Sequence, residues 1–354
     1  MMDNYLHLIF RTASDSVLDD AFDWLCERRK NYPHNSDIWH FRMNWQYIKP
    51  ELKMRLVTGE YSFEPLSEIR RVDDIINLWS SQDALVLKAL SIVLYDHLNP
   101  VLSDRCFHLK DRGGVKAALR ETCKNIENGV HVMKSDIKSY YASMDHQILY
   151  DLAYEYIPDP YVMRLLWQYM NRNICFGGQY KEVKRGISLG CPLSPLMGAL
   201  YLKPLDDLME KTGLFYARFM DDWIVIAPTR WKLRKAVRTV NGVLNQLKVE
   251  QHPDKTFIGR SEHGVNFLGY FIKPEHLTVS QGTLANAAKR IARLYEQGAD
   301  ENRIGQYISR FADWLFGSLD DGCLSILFFF CVPTPSSPDD WYRYQPGNYC
   351  HCVC

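Results

Sequence analysis

Apolar positions recur at helical spacing early in the chain and shift to strand-like runs further on. Residues 1–60 read as helices with one charged face, anchored by Trp24, Trp39 and Trp45. Residues 84–97 combine strong helix formers with an almost continuous apolar surface, which predicts a buried helix. The Gly113-Gly114 pair interrupts regular structure, and a helix is expected from about Val115. Residues 131–137, His-Val-Met-Lys-Ser-Asp-Ile, read as a strand ending at an aspartate, with a helix from near His146. From Ser194 to Lys211 the spacing of Leu196, Leu200, Leu202, Leu205 and Leu208 predicts one amphipathic helix, with Pro195 in its first turn.

Two runs rich in aromatic and β-branched residues, at 215–220 and 223–227, flank Asp221-Asp222 and predict a hairpin with both carboxylates at its tip. A helix at about 230–248 and a strand pair around 267–272 follow. Strand, helix, hairpin, helix, strand is the order of a split βαβ sheet with helices on one face, an α+β fold. Residues 285–316 again read as helical, with Leu294, Ile304, Phe311, Trp314 and Leu315 available for packing. Beyond Gly317 the periodicity is lost to Phe-, Cys-, Pro- and Ser-rich sequence.

Composition narrows the class. The chain has 354 residues, 47% of them hydrophobic, which describes folded globular protein. Lysine plus arginine balance aspartate plus glutamate at 42 each, so any nucleic-acid surface must be a local patch. The basic stretches at 105–120 and 229–238 are the candidates, the second also fitting a solvated helix face. There is no basic segment followed by an apolar one at the start, and the longest apolar run, 326–332, is too short to span a bilayer. With ten cysteines and no CxxC pair, reduced thiols, a cytoplasmic location and no membrane partner are expected. His351 with Cys350, Cys352 and Cys354 is too crowded for a usual structural zinc site.

The chemistry centres on aspartates. The chain has six Asp-Asp pairs, and only 221–222 lies between two predicted strands. Adjacent carboxylates repel unless positive charge lies beside them, and a divalent ion is the obvious candidate. Asp136 ends another predicted strand, which a small antiparallel sheet can bring alongside the hairpin. Three carboxylates at one sheet edge can hold two Mg²⁺ roughly 3.5–4 Å apart, the arrangement of in-line phosphoryl transfer. The bland alternative is an aspartate capping a turn near a solvated hairpin tip.

Five segments, taken in order, resemble the palm motifs of bacterial reverse transcriptases. They are residues 134–146 (Lys-Ser-Asp-Ile-Lys-Ser-Tyr-Tyr-Ala-Ser-Met-Asp-His), 186–196 (Gly-Ile-Ser-Leu-Gly-Cys-Pro-Leu-Ser-Pro-Leu), 218–222 (Arg-Phe-Met-Asp-Asp), 252–256 (His-Pro-Asp-Lys-Thr) and 266–270 (Asn-Phe-Leu-Gly-Tyr). The resemblance implies a right-hand polymerase. Its N-terminal helical region and fingers would span 1–130, a ferredoxin-like palm 131–272 and a helical thumb 273–316, followed by an irregular tail over 317–354.

It implies RNA-directed DNA synthesis from deoxynucleoside triphosphates with two Mg²⁺, Mn²⁺ serving as a substitute. The partners would be an RNA template, including a dedicated structured non-coding RNA, and the DNA product; no oligomeric state is assigned. Asp136, Asp221 and Asp222 would be the catalytic metal ligands, with the Ile137 carbonyl on the nucleotide-bound ion. Tyr141 matches the aromatic gate against a ribose 2′-hydroxyl, and Lys255 the lysine proposed to protonate pyrophosphate. Gly190, Ser194 and Pro195 would lie under the nascent pair. Lys110 and Arg112 would meet the triphosphate. Gly113, Gly114, Lys116, Phe219 and Met220 would contact nucleic acid.

Two departures stand out: Leu189 replaces the family's usual glutamine, and Phe219 its usual tyrosine. Elimination among subfamilies leaves the compact enzymes related to group II intron proteins, several of which act in phage defence. The competing readings are an RNA-templated RNA polymerase and a maturase-like splicing cofactor that needs the fold but not the chemistry.

Overall fold

Two central strands, His131–Ser135 and Asp222–Ala227, are buried along almost their whole length. They pair antiparallel in the middle of a four-stranded sheet. Phe215–Phe219 flanks them on one side and Phe257–Arg260 on the other, both antiparallel. A strand covered on both faces reads as a continuous apolar run, which Trp223 to Ala227 does. The computed structural model describes residues 7–71 and 74–316; the tail with its cysteines lies outside the described residues.

Helix Arg230–Gln246 packs on the central strands through Leu233, Ala236, Val240, Val243 and Leu244, the stripe expected of an amphipathic helix. Helix His146–Tyr156 packs against both Pro160–Met170 and Ser194–Tyr201, and all three contribute to the core. Asp145 caps the first of these, accepting the Gln147 and Ile148 amides at 3.1 Å each. The N-terminal region is helical over His7–Thr12, Asp15–Arg28, Asp37–Met43 and Trp45–Val57, as the pattern predicts.

The buried helix expected at 84–97 runs from Ser81 to Leu98. The 81–101 stretch is long and apolar enough to cross a membrane, but here it buries Leu85, Leu87, Leu90, Val93, Leu94 and Leu98 in the core.

Two expectations need correction. The single helix over 194–211 is two, Ser194–Tyr201 and Lys203–Glu210, because Pro204 has no N–H to continue the ladder and instead starts a new helix. The strand that closes the sheet is Phe257–Arg260, not the pair around 267–272. That pair, Val265–Phe267 with Tyr270–Lys273, joins His276–Val279 in a separate three-stranded sheet. The first 130 residues carry strands as well as helices. Strands 66–71 and 74–78 join Asn173–Phe176 and Gln179–Glu182 in a third sheet, 66–71 running parallel to Asn173–Phe176. The C-terminal helices are Gln281–Glu296 and Glu301–Phe316, broken where Gly298 takes φ +69°.

Candidate active site

The strand register places the carboxylates. Ser135 pairs with Trp223 and Phe219 with Asp222, so one further step along the register sets Asp136 beside Asp222. Met220-Asp221 forms the two-residue loop between the hairpin strands. The Asp136 and Asp221 carboxyl groups are close enough to interact as a hydrogen-bonded pair, and burial together with Asp136 pushes Asp221 up to about 7. Burial likewise raises Asp222 to about 6, against the lowering effect of Lys134. The Lys134 ammonium lies 3.0 Å from Asp222, and Lys255 donates to Asp136. That contact raises the Lys255 pKa. The Lys255 side chain is 56% exposed, free to reach outward as well.

The hairpin turn is strained. Met220 takes φ +56°, a left-handed conformation that costs a side-chain-bearing residue about 1–2 kcal/mol. Three neighbours hold it there. Its amide donates to His108 Nδ1 at 3.0 Å, its carbonyl accepts from Arg218 at 2.8 Å, and Tyr141 donates to its sulfur at 3.9 Å. Arg218 is fully buried and donates two bonds to Asp206, which also accepts the Tyr216 hydroxyl at 2.8 Å. Burial opposes the charge, but Asp206 more than offsets it and holds the guanidinium well above its ordinary value.

His108 links this turn to a second motif. Because the Met220 amide must donate, Nδ1 is the acceptor, so Nε2 carries the proton and points it at the Pro195 carbonyl, 3.2 Å away. That is the neutral tautomer, and burial pushes the ring down to about 4. The motif pattern assigns no such work to Arg218, Asp206 or His108. The one available signal was a charged residue at an inward position of the apolar run 215–219.

Other expected site residues are distributed as follows. Tyr141 stands against the Met220 side of the turn, its hydroxyl raised to about 12 by burial and by Asp221. A Cβ on Gly198 would come within 3.2 Å of the Tyr140 and Tyr141 rings, so glycine there leaves room for both. The Ile137 side chain is buried. Lys138 donates to the Glu250 carbonyl and His252 to that of Asp136, flanking the Ile137 and Gln251 pair. In that register the Ile137 carbonyl makes no bond to the 250–252 segment. Gly190 turns at φ +78° into an open space, beside Leu189, which is 78% exposed.

Two expected site residues are engaged within the protein. Arg112 is half-buried and its guanidinium meets Asn99, the Leu102 carbonyl and Asp104. Ser194 is buried, with its hydroxyl engaged by Tyr169 and the Ser188 carbonyl at the helix start. Lys110 and Lys116 are exposed and without ion pairs among the described residues. Gly113 and Gly114 both have positive φ, and a Cβ on Gly113 would strike Ala117, so the first glycine serves the helix entry. Phe219 closes the hairpin and meets the His108 ring edge-on at 5.9 Å.

A family model described as reverse transcriptase (RNA-dependent DNA polymerase) matches residues 77–272, more than half of the chain. The chain belongs to the reverse transcriptase family. Among curated relatives, the group II intron-encoded protein LtrA of Lactococcus lactis subsp. cremoris is 23% identical over 48% of this chain and 28% of its own length. Protein YkfC of Escherichia coli is 24% identical over 40% of this chain and 46% of its own. This reverse transcriptase chain therefore spans less than half the length of either. A solved structure entitled "Partial Cas6-RT-Cas1--Cas2 complex" is 18% identical with a TM-score of 0.42, covering 66% of this chain and 42% of that one, an overlap too low to carry structural argument.

Reverse transcriptases generally use divalent metal ions. Among the described residues no three His, Cys, Asp or Glu side chains are gathered at metal-holding distance. The donor set nevertheless suits a hard cation, offering oxygen atoms alone. Two carboxylates with raised pKa, and a third paired with the exposed Lys255, lie at one end of the sheet beside Ile137.

Proposed function

We propose that the chain is an RNA-directed DNA polymerase that joins deoxynucleotides on an RNA template. The observation that carries this reading is that Asp136, just past one strand, and Asp221 and Asp222, at the turn of the neighbouring hairpin, lie at one end of the central sheet. Asp136 and Asp221, with the Ile137 carbonyl, would hold two Mg²⁺, and Asp222 would supply the third carboxylate. The ions, when bound, neutralise the triphosphate and favour the ionised primer 3′-hydroxyl.

The rest falls to the protein. Burial and mutual repulsion make Asp221 and Asp222 hold protons more tightly, and a cation beside them removes that penalty, so losing protons and accepting a cation go together. Lys255, now on Asp136, is on a half-exposed tether and can turn its ammonium to the leaving pyrophosphate. Tyr141 presents a rigid ring beside the Asp221 turn, where a ribose 2′ substituent would have to pass. The test is incorporation of labelled dNTP on primed RNA, abolished by Asp221→Asn together with Asp222→Asn. Synthesis that survives the double change would refute the assignment.

A further inference from the structure

At the far end of the same sheet lies a cavity of about 550 Å³ that the polymerisation chemistry leaves unused. Its walls come from the start of helix Arg230–Gln246, the Phe257–Arg260 strand and the first residue of the His131–Ser135 strand. His131 opens the strand after which Asp136 follows, so about 16 Å of extended chain separates the two places. Phe257 lies across Gly259, where a Cβ would come within 2.8 Å of the ring, and forms part of the cavity wall.

The charge there is one-sided. Arg230, Arg234 and Arg260 converge on the cavity together with His131 and His263, and no acidic residue lines it. All three arginines are exposed, and among the described residues none forms an ion pair. Glu262, next in sequence to His263, accepts the Gly129 amide at 2.9 Å, and its own backbone amide, helped by Arg260 and His263, holds its carboxyl below the usual range. The buried Nδ1 of His131 has no hydrogen-bond partner. Trp231, 74% exposed, follows the lining residue Arg230 in the helix and carries the Arg234 guanidinium over its ring at 5.2 Å. In a chain of zero net charge this is a concentrated basic patch, with planar forks suited to phosphate and an aromatic face suited to a base.

We propose that this cavity grips the phosphate backbone of an RNA strand outside the copying site. Guanidinium forks on two elements can follow successive phosphates of one strand, and Trp231 can stack an unpaired base beside them. The sequence pattern offers 229–238 as a candidate nucleic-acid contact that fits a solvated helix face as well; what favours the first is Arg260 and the two histidines, which join Arg230 and Arg234 from other elements. The identity of the polyanion as RNA rests on the polymerase reading, but the site does not need catalysis to act.

The test is therefore a binding measurement in the Asp221→Asn, Asp222→Asn background, using a fluorescein-labelled RNA hairpin with a single-stranded tail. Arg230→Gln, Arg234→Gln and Arg260→Gln combined should weaken binding at least tenfold and lower the salt dependence of log K by about 2–3. Each single change should lower it by about 1 or slightly less. In the catalytically intact chain the triple change should leave extension of a short oligo(dT)·oligo(rA) duplex unchanged. Unaltered hairpin affinity and salt slope would overturn the proposal. So would a loss of ATP binding without a loss of RNA binding, which marks a free-nucleotide site, or an equal fall in short-duplex extension, which puts the arginines in the copying cleft.

Discussion

Arg218 and Asp206 form a fully buried ion pair one residue away from the turn that presents Asp221. The pair leaves one guanidinium nitrogen to donate to the Met220 carbonyl at 2.8 Å. Removing one partner strands the other charge in a low-dielectric interior. Arg218→Met should therefore cost about 3–5 kcal/mol in chemical denaturation. Arg218→Met with Asp206→Leu should regain most of that stability, because a matched apolar pair needs no compensation. It should not regain activity, since Met220 still lacks its donor. Full recovery of dNTP incorporation in the double variant would show that the pair is packing alone.

Much of the site was readable because its signals are local. Asp221-Asp222 sits between two short runs whose composition favours strands, and Asp136 closes a third. What escaped were the long-range partners. Asp206 belongs to another of the Asp-Asp pairs, and nothing near it in sequence shows that it faces Arg218. The Phe257–Arg260 strand was missed because it is short and alternates only partly buried positions. Strands 66–71 and 74–78 pair locally as a hairpin, but the parallel pairing of 66–71 with Asn173–Phe176 joins distant segments and has no local signature. Pro204 was the overlooked local signal, and it divides a helix that leucine spacing alone would have continued.

His108 ties the Asp221 turn to the Pro195 helix start. His108→Ala should slow incorporation by about 10- to 100-fold, as expected when a catalytic group is misplaced by a fraction of an ångström to an ångström. His108→Asn, which keeps an acceptor near the Nδ1 position, should recover part of it.

The same ring predicts a pH effect on stability. It titrates at about 4 in the fold, against 6.5 when unperturbed. Below 6.5 the unfolded chain takes up a proton that the folded chain refuses, so stability falls with pH and levels off below about 4. The loss attributable to His108 is on the order of 3 kcal/mol. Denaturation midpoints across this window should fall less steeply for His108→Asn than for the natural chain; parallel profiles would exclude the histidine as the source.

Tyr141 should set the sugar preference. Its ring is pinned between Tyr140 and the Met220 sulfur, so it cannot yield cheaply to a 2′-hydroxyl. Tyr141→Ala is expected to raise the efficiency of NTP relative to dNTP use by about 10- to 100-fold. Competition assays with matched ribo- and deoxynucleotides measure the ratio directly. An unchanged ratio would move the discrimination elsewhere, and would revive the RNA-polymerase reading if NTPs are already preferred.

Metal binding should be coupled to proton release. Asp221 titrates at about 7 and Asp222 at about 6. An ion must displace whatever protons these carboxyls hold. Apparent Mg²⁺ affinity should accordingly rise as pH increases through 7 and flatten above about 8, once both groups are ionised. Calorimetry near pH 6 in two buffers of different ionisation enthalpy should reveal protons released on binding, and fewer near pH 8. Lys255→Met removes the ammonium now on Asp136 and should tighten Mg²⁺ binding while slowing incorporation. Affinity that is flat with pH, or weakened by Lys255→Met, would mean that these carboxylates are not the ligands.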